Sequence, residues 1–403
     1  MVNVKNTIRK LIDDFRLPKA ARLECRRDSK GLPASDPGID KVIEEGIAWL
    51  GRAQDFSASN DGGVSRDYSL VREGWATSYP ETTGYIIPTV LDCARRFGDQ
   101  RLRDRARRML DWCVAIQLED GGFQGGRIDA QPVVPVTFNT GQILIGLAAG
   151  QAEFGDYLEP MRRAADFLKE SLDDDGCWRS HPTPFAAPGE KTYETHVSWG
   201  LFEAARLLPE QGYAEAGLKQ VRWAISHQQE NGWIDRCCLT QPAAPLTHTI
   251  GYVQRGILEA YRYSHADDLL IAAIKLANGL IEAVQQDGFM AGRLDSHWQP
   301  TVDWACLTGS AQNAHCFLML YELTADKRYR DAGYALNRYV RRTVQTDGPP
   351  GVRGGVKGSF PVHGLYGQYE FLNWAVKFTI DSNALEQRLR KAEEAGATKR
   401  AAS

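Results

Sequence analysis

Two glutamates stand where a chain could place an acid and a base. Glu81 lies in SYPETTGY and Glu194 in KTYETHVSWG, each at the start of a helix-patterned run. A pair of carboxyls is the usual equipment for glycosidic bond cleavage, one protonating the leaving oxygen and the other activating water. Histidines follow closely: His196 two residues after Glu194, and His248 in THTIGY with Tyr252 one turn on. These five are the candidate catalytic residues. A neutral histidine or Tyr252 could instead remove a sugar C5 proton, which is lyase or uronosyl epimerase chemistry. Around them stand residues suited to holding a sugar. Trp75 and Trp298 offer faces for stacking. Arg127, Arg293, Arg353 and Lys357 offer charge for a carboxylate or phosphate. Asp129, Asn139, Thr140, Asp295, Gln312 and Tyr369 offer hydrogen bonds. Asp303, Cys306 and His363 form one further set, a carboxylate, a thiol and an imidazole that could hold zinc if the fold brought them together. No cofactor motif accompanies these residues, and none is expected.

The elements that must position them repeat. An Asp/Asn-Gly element recurs at Gly62, Gly121, Gly176, Gly232, Gly288 and Gly348, every 55 to 60 residues. Gln117, Gln229, Gln286 and Gln345 close the preceding helix in four copies. Before each element lies a charged amphipathic helix, such as RLRDRARRMLDWCVAIQ; after a loop comes a less charged, small-residue helix such as FNTGQILIGLAAGQAEF. A helix apolar nearly all round belongs inside, and an amphipathic one at the surface. Six outer–inner pairs therefore predict an all-α fold, an (α/α)6 toroid of six helical hairpins over residues 38–385. Residues 1–37 are expected to form a leader and 386–403 a charged, frayed tail. The last inner helix is expected to begin at 366, and Pro88 to sit inside the first. All six inner helices should start at one mouth, where their N-termini favour an anionic ligand. Helices about 8–10 Å apart would put Glu81 and Glu194, on the first and third inner helices, with carboxyls roughly 6–8 Å apart.

The composition excludes other classes. The net charge of −3 argues against a nucleic-acid partner held by a basic surface. No apolar run nears the ~20 residues of a membrane span, and the start lacks a signal-peptide pattern. Eight scattered cysteines without a CxxC pair read as reduced thiols in the cytoplasm.

The Gln-x-x-Asp-Gly-Gly-Phe/Trp elements resemble the QW-type repeats of triterpene cyclase and protein prenyltransferase toroids, an architecture shared with six-hairpin glycosidases, polysaccharide lyases and sugar epimerases. From about Gly62 to Asp381 the chain is similar to bacterial toroid proteins encoded with polysaccharide-biosynthesis genes and labelled prenyltransferase-like. GWATSYPETTGY, FNTGQILIGL, YETHVSWGL, THTIGY, CLTGSAQ and RGGVKGSFPVHGLYGQYEFLNWAVKF carry that likeness. The resemblance implies the toroid and a setting in surface polysaccharide metabolism, without a catalytic assignment. Against the prenyltransferases, Asp303 and Cys306 are misspaced for that family's metal triad. Asp173-Asp174-Asp175 lacks the Asp-x-Asp-Asp order of the cyclases. The leading expectation is a carbohydrate-active enzyme acting on an anionic oligosaccharide, polysaccharide or lipid- or nucleotide-linked sugar, most simply by hydrolysis. An isoprenoid enzyme and a non-catalytic glycan-binding protein are the alternatives.

Overall fold

The structure, a computed structural model, describes residues 17–401. The first sixteen residues of the expected leader lie outside it. The rest of that leader forms a short helix, α1 (Lys19–Asp28), before the ring begins.

Twelve helices then alternate. The outer ones are α2 (Ile39–Asp55), α4 (Gln100–Ala115), α6 (Leu158–Glu170), α8 (Tyr213–Ile225), α10 (Asp267–Ile281) and α12 (Lys327–Thr343). The inner ones are α3 (Pro80–Phe97), α5 (Thr137–Phe154), α7 (Thr195–Leu207), α9 (Thr247–Ser264), α11 (Leu307–Thr324) and α13 (Asn373–Ala401). Each inner helix packs on the next, and α13 returns to α3, so the ring closes as a toroid. The inner helices approach closely because glycine faces the neighbour. A Cβ at Gly84 would lie 2.4 Å from Ile143 Cα.

The repeated glycine does a different job. All six adopt positive φ, between 87° and 103°. In the middle repeats a Cβ there would strike the next outer helix, 2.1 Å from Lys275 O at Gly232 and 2.1 Å from Ala335 O at Gly288. The Asp or Asn before it accepts the amide hydrogen two residues on, as Asp120 does from Gly122 and Asn231 from Trp233. Glutamines tie these turns to the following repeat: Gln117 donates to Gly121 O and to Pro160 O. In the fourth repeat the equivalent bonds come from Gln228, to Gly232 O and Ala272 O, rather than from Gln229. Gln54 does the same in the first.

Two expectations are corrected. The last inner helix begins at Asn373, not at 366, because Glu370–Leu372 forms a strand. That strand pairs with Asp67–Ser69, which pairs in turn with Gly74–Trp75, both antiparallel. This small sheet joins the first repeat to the last. Residues 386–401 are not a frayed tail but continue α13; Glu386 and Leu389 are buried, and Glu386 meets Arg341 at 2.9 Å.

Cys93, Cys113, Cys177, Cys237, Cys238, Cys306 and Cys316 are buried and form no disulfide. No helix among the described residues is long and apolar enough to cross a membrane.

Candidate active site

At the N-terminal ends of the inner helices the ring opens into a cavity of about 420 Å³. Tyr79 and Glu81 enter from the start of α3, Phe138 from α5, and Tyr193 from the 3-10 turn before α7. His248, Thr249 and Tyr252 come from α9 and Trp374 from α13. Loops add Arg66, Arg127, Thr183, Phe185, Leu239 and Tyr366. Deeper on the axis the ring is filled. Tyr85, Tyr252 and Phe378 are buried and in ring contact, with centroids 5.5 Å (Tyr85–Phe378) and 6.2 Å (Tyr252–Phe378) apart.

Glu81 is the one carboxylate in this wall among the described residues. Burial pushes its pKa up to about 7, against the pull of the adjacent Tyr79 hydroxyl and the Arg66 charge. It is therefore part protonated at neutrality and can give or take a proton. Glu194 is also buried and raised, to about 8, by burial against the opposing charge of Lys191. Its Oε2 has no hydrogen-bond partner. Yet Glu194 is not among the residues lining the cavity; Tyr193 is the wall residue of that turn. Both acids lie within electrostatic reach of the Tyr193 hydroxyl, but only Glu81 lines the cavity.

The histidines are neutral and held. Burial lowers His248 to about 4, and its Nδ1 lies 2.5 Å from Gln312 Oε1. The amide oxygen accepts, so Nδ1 carries the hydrogen and Nε2 is left as the acceptor. His196 repeats this with Gln142 Oε1 at 2.6 Å, but its Nε2 is buried without a partner and the residue is behind the wall. Burial, with the nearby charges of Arg255, Lys377 and His248, holds it well below the usual range. Both imidazoles lie against the Tyr252 ring at 4.5 Å. Burial pushes the Tyr252 phenol far up, so it stays protonated.

Arg66 gives the wall its fixed positive charge. It donates to Asp67 at 2.6 Å and Glu370 at 2.9 Å and stands 5.2 Å over the Trp374 ring. Burial would lower its pKa, but Glu370 and Asp67 outweigh that and keep it charged. The strand pairing between residues 67–69 and 370–372 builds this contact. Arg127 stands at the edge, 3.3 Å from Asp129, which also accepts from Thr77.

Several expected binding residues are placed elsewhere. Trp75 packs on Trp49 and Tyr68. Trp298 packs on Trp233 and donates its indole hydrogen to Asn231 O. Arg293 donates to Ala244 O, while Asp295 caps its own turn through the His297 and Gln299 amides, so these two are not paired. Arg353 meets Glu45 on an outer helix. Lys357, 2% exposed, sits between Glu24 and Asp28 of α1 at 2.8 and 2.6 Å. Tyr369 occupies a positive-φ position (61°) just before the last strand and is outside the wall. Thr140 bonds Phe123 N and Val136 O, a loop-holding role. Asn139 is fully buried with neither amide atom partnered. Gln312 acts through His248. The zinc set does not assemble. Cys306 is buried and accepts from Gly309 N, Asp303 and His363 are exposed, and no metal-holding group of three is present among the described residues.

Arg66, Tyr79, Phe138, Thr183, Phe185, Leu239, Thr249, Tyr366 and Trp374 complete the wall without having been expected there. Tyr79 and Trp374 had a signal, each being next to or inside the first turn of an inner helix. Arg66 had none, since its place depends on a strand partner some 300 residues away.

No family model matches the chain, and no curated protein matches it. Solved structures do. A heparin-specific unsaturated glucuronyl hydrolase superposes with a TM-score of 0.70 at 15% identity, covering 88% of this chain and 98% of the other. The unsaturated glucuronyl hydrolase from Bacillus sp. GL1, responsible for glycosaminoglycan degradation, gives 0.68 at 14%, covering 86% and 96%. Cellobiose 2-epimerase from Bacillus thermoamylovorans B4167 gives 0.68 at 10%, covering 86% and 97%. At such identities the likeness is one of fold alone, an (α/α)6 toroid. Nothing at this level transfers a residue's role.

Proposed function

We propose that this protein is a carbohydrate-active enzyme that hydrolyses an anionic oligosaccharide, with Glu81 as the general acid. One observation carries the reading: a buried carboxyl poised near neutrality in a cavity whose wall also holds two guanidiniums. Arg66 and Arg127 suit a uronic carboxylate, and Phe138, Tyr193 and Trp374 suit a sugar ring. His248 Nε2 would accept a hydroxyl or water proton. Glu194 would assist only as a buried partner that raises the cost of charge nearby. The neighbours' activity on unsaturated glucuronyl groups supports a uronyl substrate, and scattered cysteines with no CxxC pair fit a cytoplasmic setting.

The test is a mass screen of the full-length protein against oligosaccharides ending in saturated and unsaturated uronyl residues. Cleavage with the mass of one water gained, lost in Glu81→Gln, is the expected result. Cleavage without water and with a new ultraviolet band would replace hydrolysis by elimination.

Epimerisation is the second reading, favoured by the neutral His248 beside the protonated Tyr252, both in the wall. It predicts no gain of water but one deuterium taken from D₂O per turnover. An absence of both signals sinks both readings.

A further inference from the structure

Past the aromatic layer, toward the C-terminal ends of the inner helices, lies a second cavity of about 440 Å³. Cations at its rim have a simple explanation. Arg96 and Arg262 sit in the last turns of α3 and α9, where positive charge complements the helix dipole. Arg388 is paired with Glu322.

Three deeper groups lack that explanation. Arg255, His315 and Lys377 project from α9, α11 and α13 well before those helices end. Lys377 is 1% exposed and bonds Asp381 at 2.7 Å. Arg255 bonds Glu259 at 2.7 Å and lies 4.2 Å over the Trp199 ring; Lys377 is 5.9 Å from the same ring. His315 Nδ1 is buried without a partner. The carboxylates in and beside the cavity are already shared: Asp381 with Thr89, Glu259 with Arg262, Glu322 with Arg388 and Asp92 with Arg95. Burial first, then the fields of Arg255 and Lys377, keep the His315 ring neutral, and Arg255 likewise disfavours charge on Lys377. Three nitrogen groups thus line one solvent-connected space. An anion placed there would offset the repulsion between Arg255 and Lys377 beside the neutral His315 ring.

We propose that this cavity binds a small oxyanion-bearing molecule, a carboxylate or a phosphate ester, held by Arg255, His315 and Lys377 with Trp199 as its apolar wall. The site is separate from the mouth, and the inference does not depend on the proposed reaction.

The experiment is titration calorimetry of the full chain with inorganic phosphate, with D-glucuronate and with glucose as the neutral control. Saturable binding of either anion, absent with glucose, is expected, and which anion binds identifies the class. Arg255→Gln should weaken that binding about tenfold or more, the loss of a charge-assisted hydrogen bond. Arg262→Gln, at an exposed rim position that carries no folding risk, should weaken it by a smaller factor. Arg127→Gln, in the mouth where glucuronate has its own proposed place, should leave the binding of phosphate unchanged. Phosphate binding lost in Arg127→Gln but kept in Arg255→Gln and Arg262→Gln would put the anion in the mouth and overturn the proposal, as would no binding of either anion.

Discussion

Glu81 and Glu194 are both held toward the protonated form by burial, yet they differ in what they can reach. Glu81 meets the cavity, so its titration should be visible in turnover. If it donates the proton, kcat/KM falls as pH rises through about 7. Glu81→Gln should lower kcat about 10²- to 10⁴-fold, the span of general acid catalysis. A pH–rate profile and single-variant kinetics check both. Glu194 should register in stability instead. Its folded pKa of about 8 exceeds the ordinary 4.5, so folding favours the proton-bound form. Stability from this group is complete below pH 4.5 and is lost as pH rises through about 8. Each tenfold difference in proton affinity between the folded and unfolded chain is worth roughly 1.4 kcal/mol, so the loss is on the order of a few kcal/mol. Glu194→Gln should remove that part of the pH dependence. Melts of both proteins from acid to mildly alkaline pH test it; parallel curves would refute it.

Among the elements, the six glycine turns were legible because local chemistry requires them. A positive φ needs glycine, and the preceding Asp or Asn closes the turn, so both recur at fixed spacing. Their cost of replacement should nonetheless differ. A Cβ at Gly348 meets nothing within 4 Å, whereas at Gly232 it strikes Lys275 O at 2.1 Å. Gly348→Ala should cost about 1–2 kcal/mol from backbone conformation alone. Gly232→Ala should cost about 1–3 kcal/mol more, as overpacking does. Denaturant melts of the two variants give the comparison. The loops were less legible for the complementary reason. Trp75, Trp298, Arg293 and Lys357 have the chemistry of sugar contacts, and only tertiary packing decides otherwise. Trp298 leans on Gly279 of an outer helix, and Lys357 on a helix more than 300 residues upstream. The inner-helix starts gave better guidance, since Glu81, His248 and Tyr252 sit where a 3.6-residue period and a ring topology must put them.

For the whole molecule, closure depends on contacts between the chain's two ends. The strand pairing of residues 67–69 with 370–372 joins the first and last repeats, and α1 is fixed by Lys357 between Glu24 and Asp28. Lys357→Met would leave both carboxylates buried without their cation. We expect a loss of about 3–5 kcal/mol, the usual result of removing one partner of a buried ion pair. Chemical denaturation measures it, and an unchanged midpoint would remove α1 from the folding unit. The filled axis has its own bearing on turnover. With Tyr85, Tyr252 and Phe378 blocking the way through, the mouth is a cul-de-sac. Under the proposed hydrolysis, whatever enters this pocket leaves by the way it came, so the released piece and the next substrate share one doorway, and product should compete with substrate.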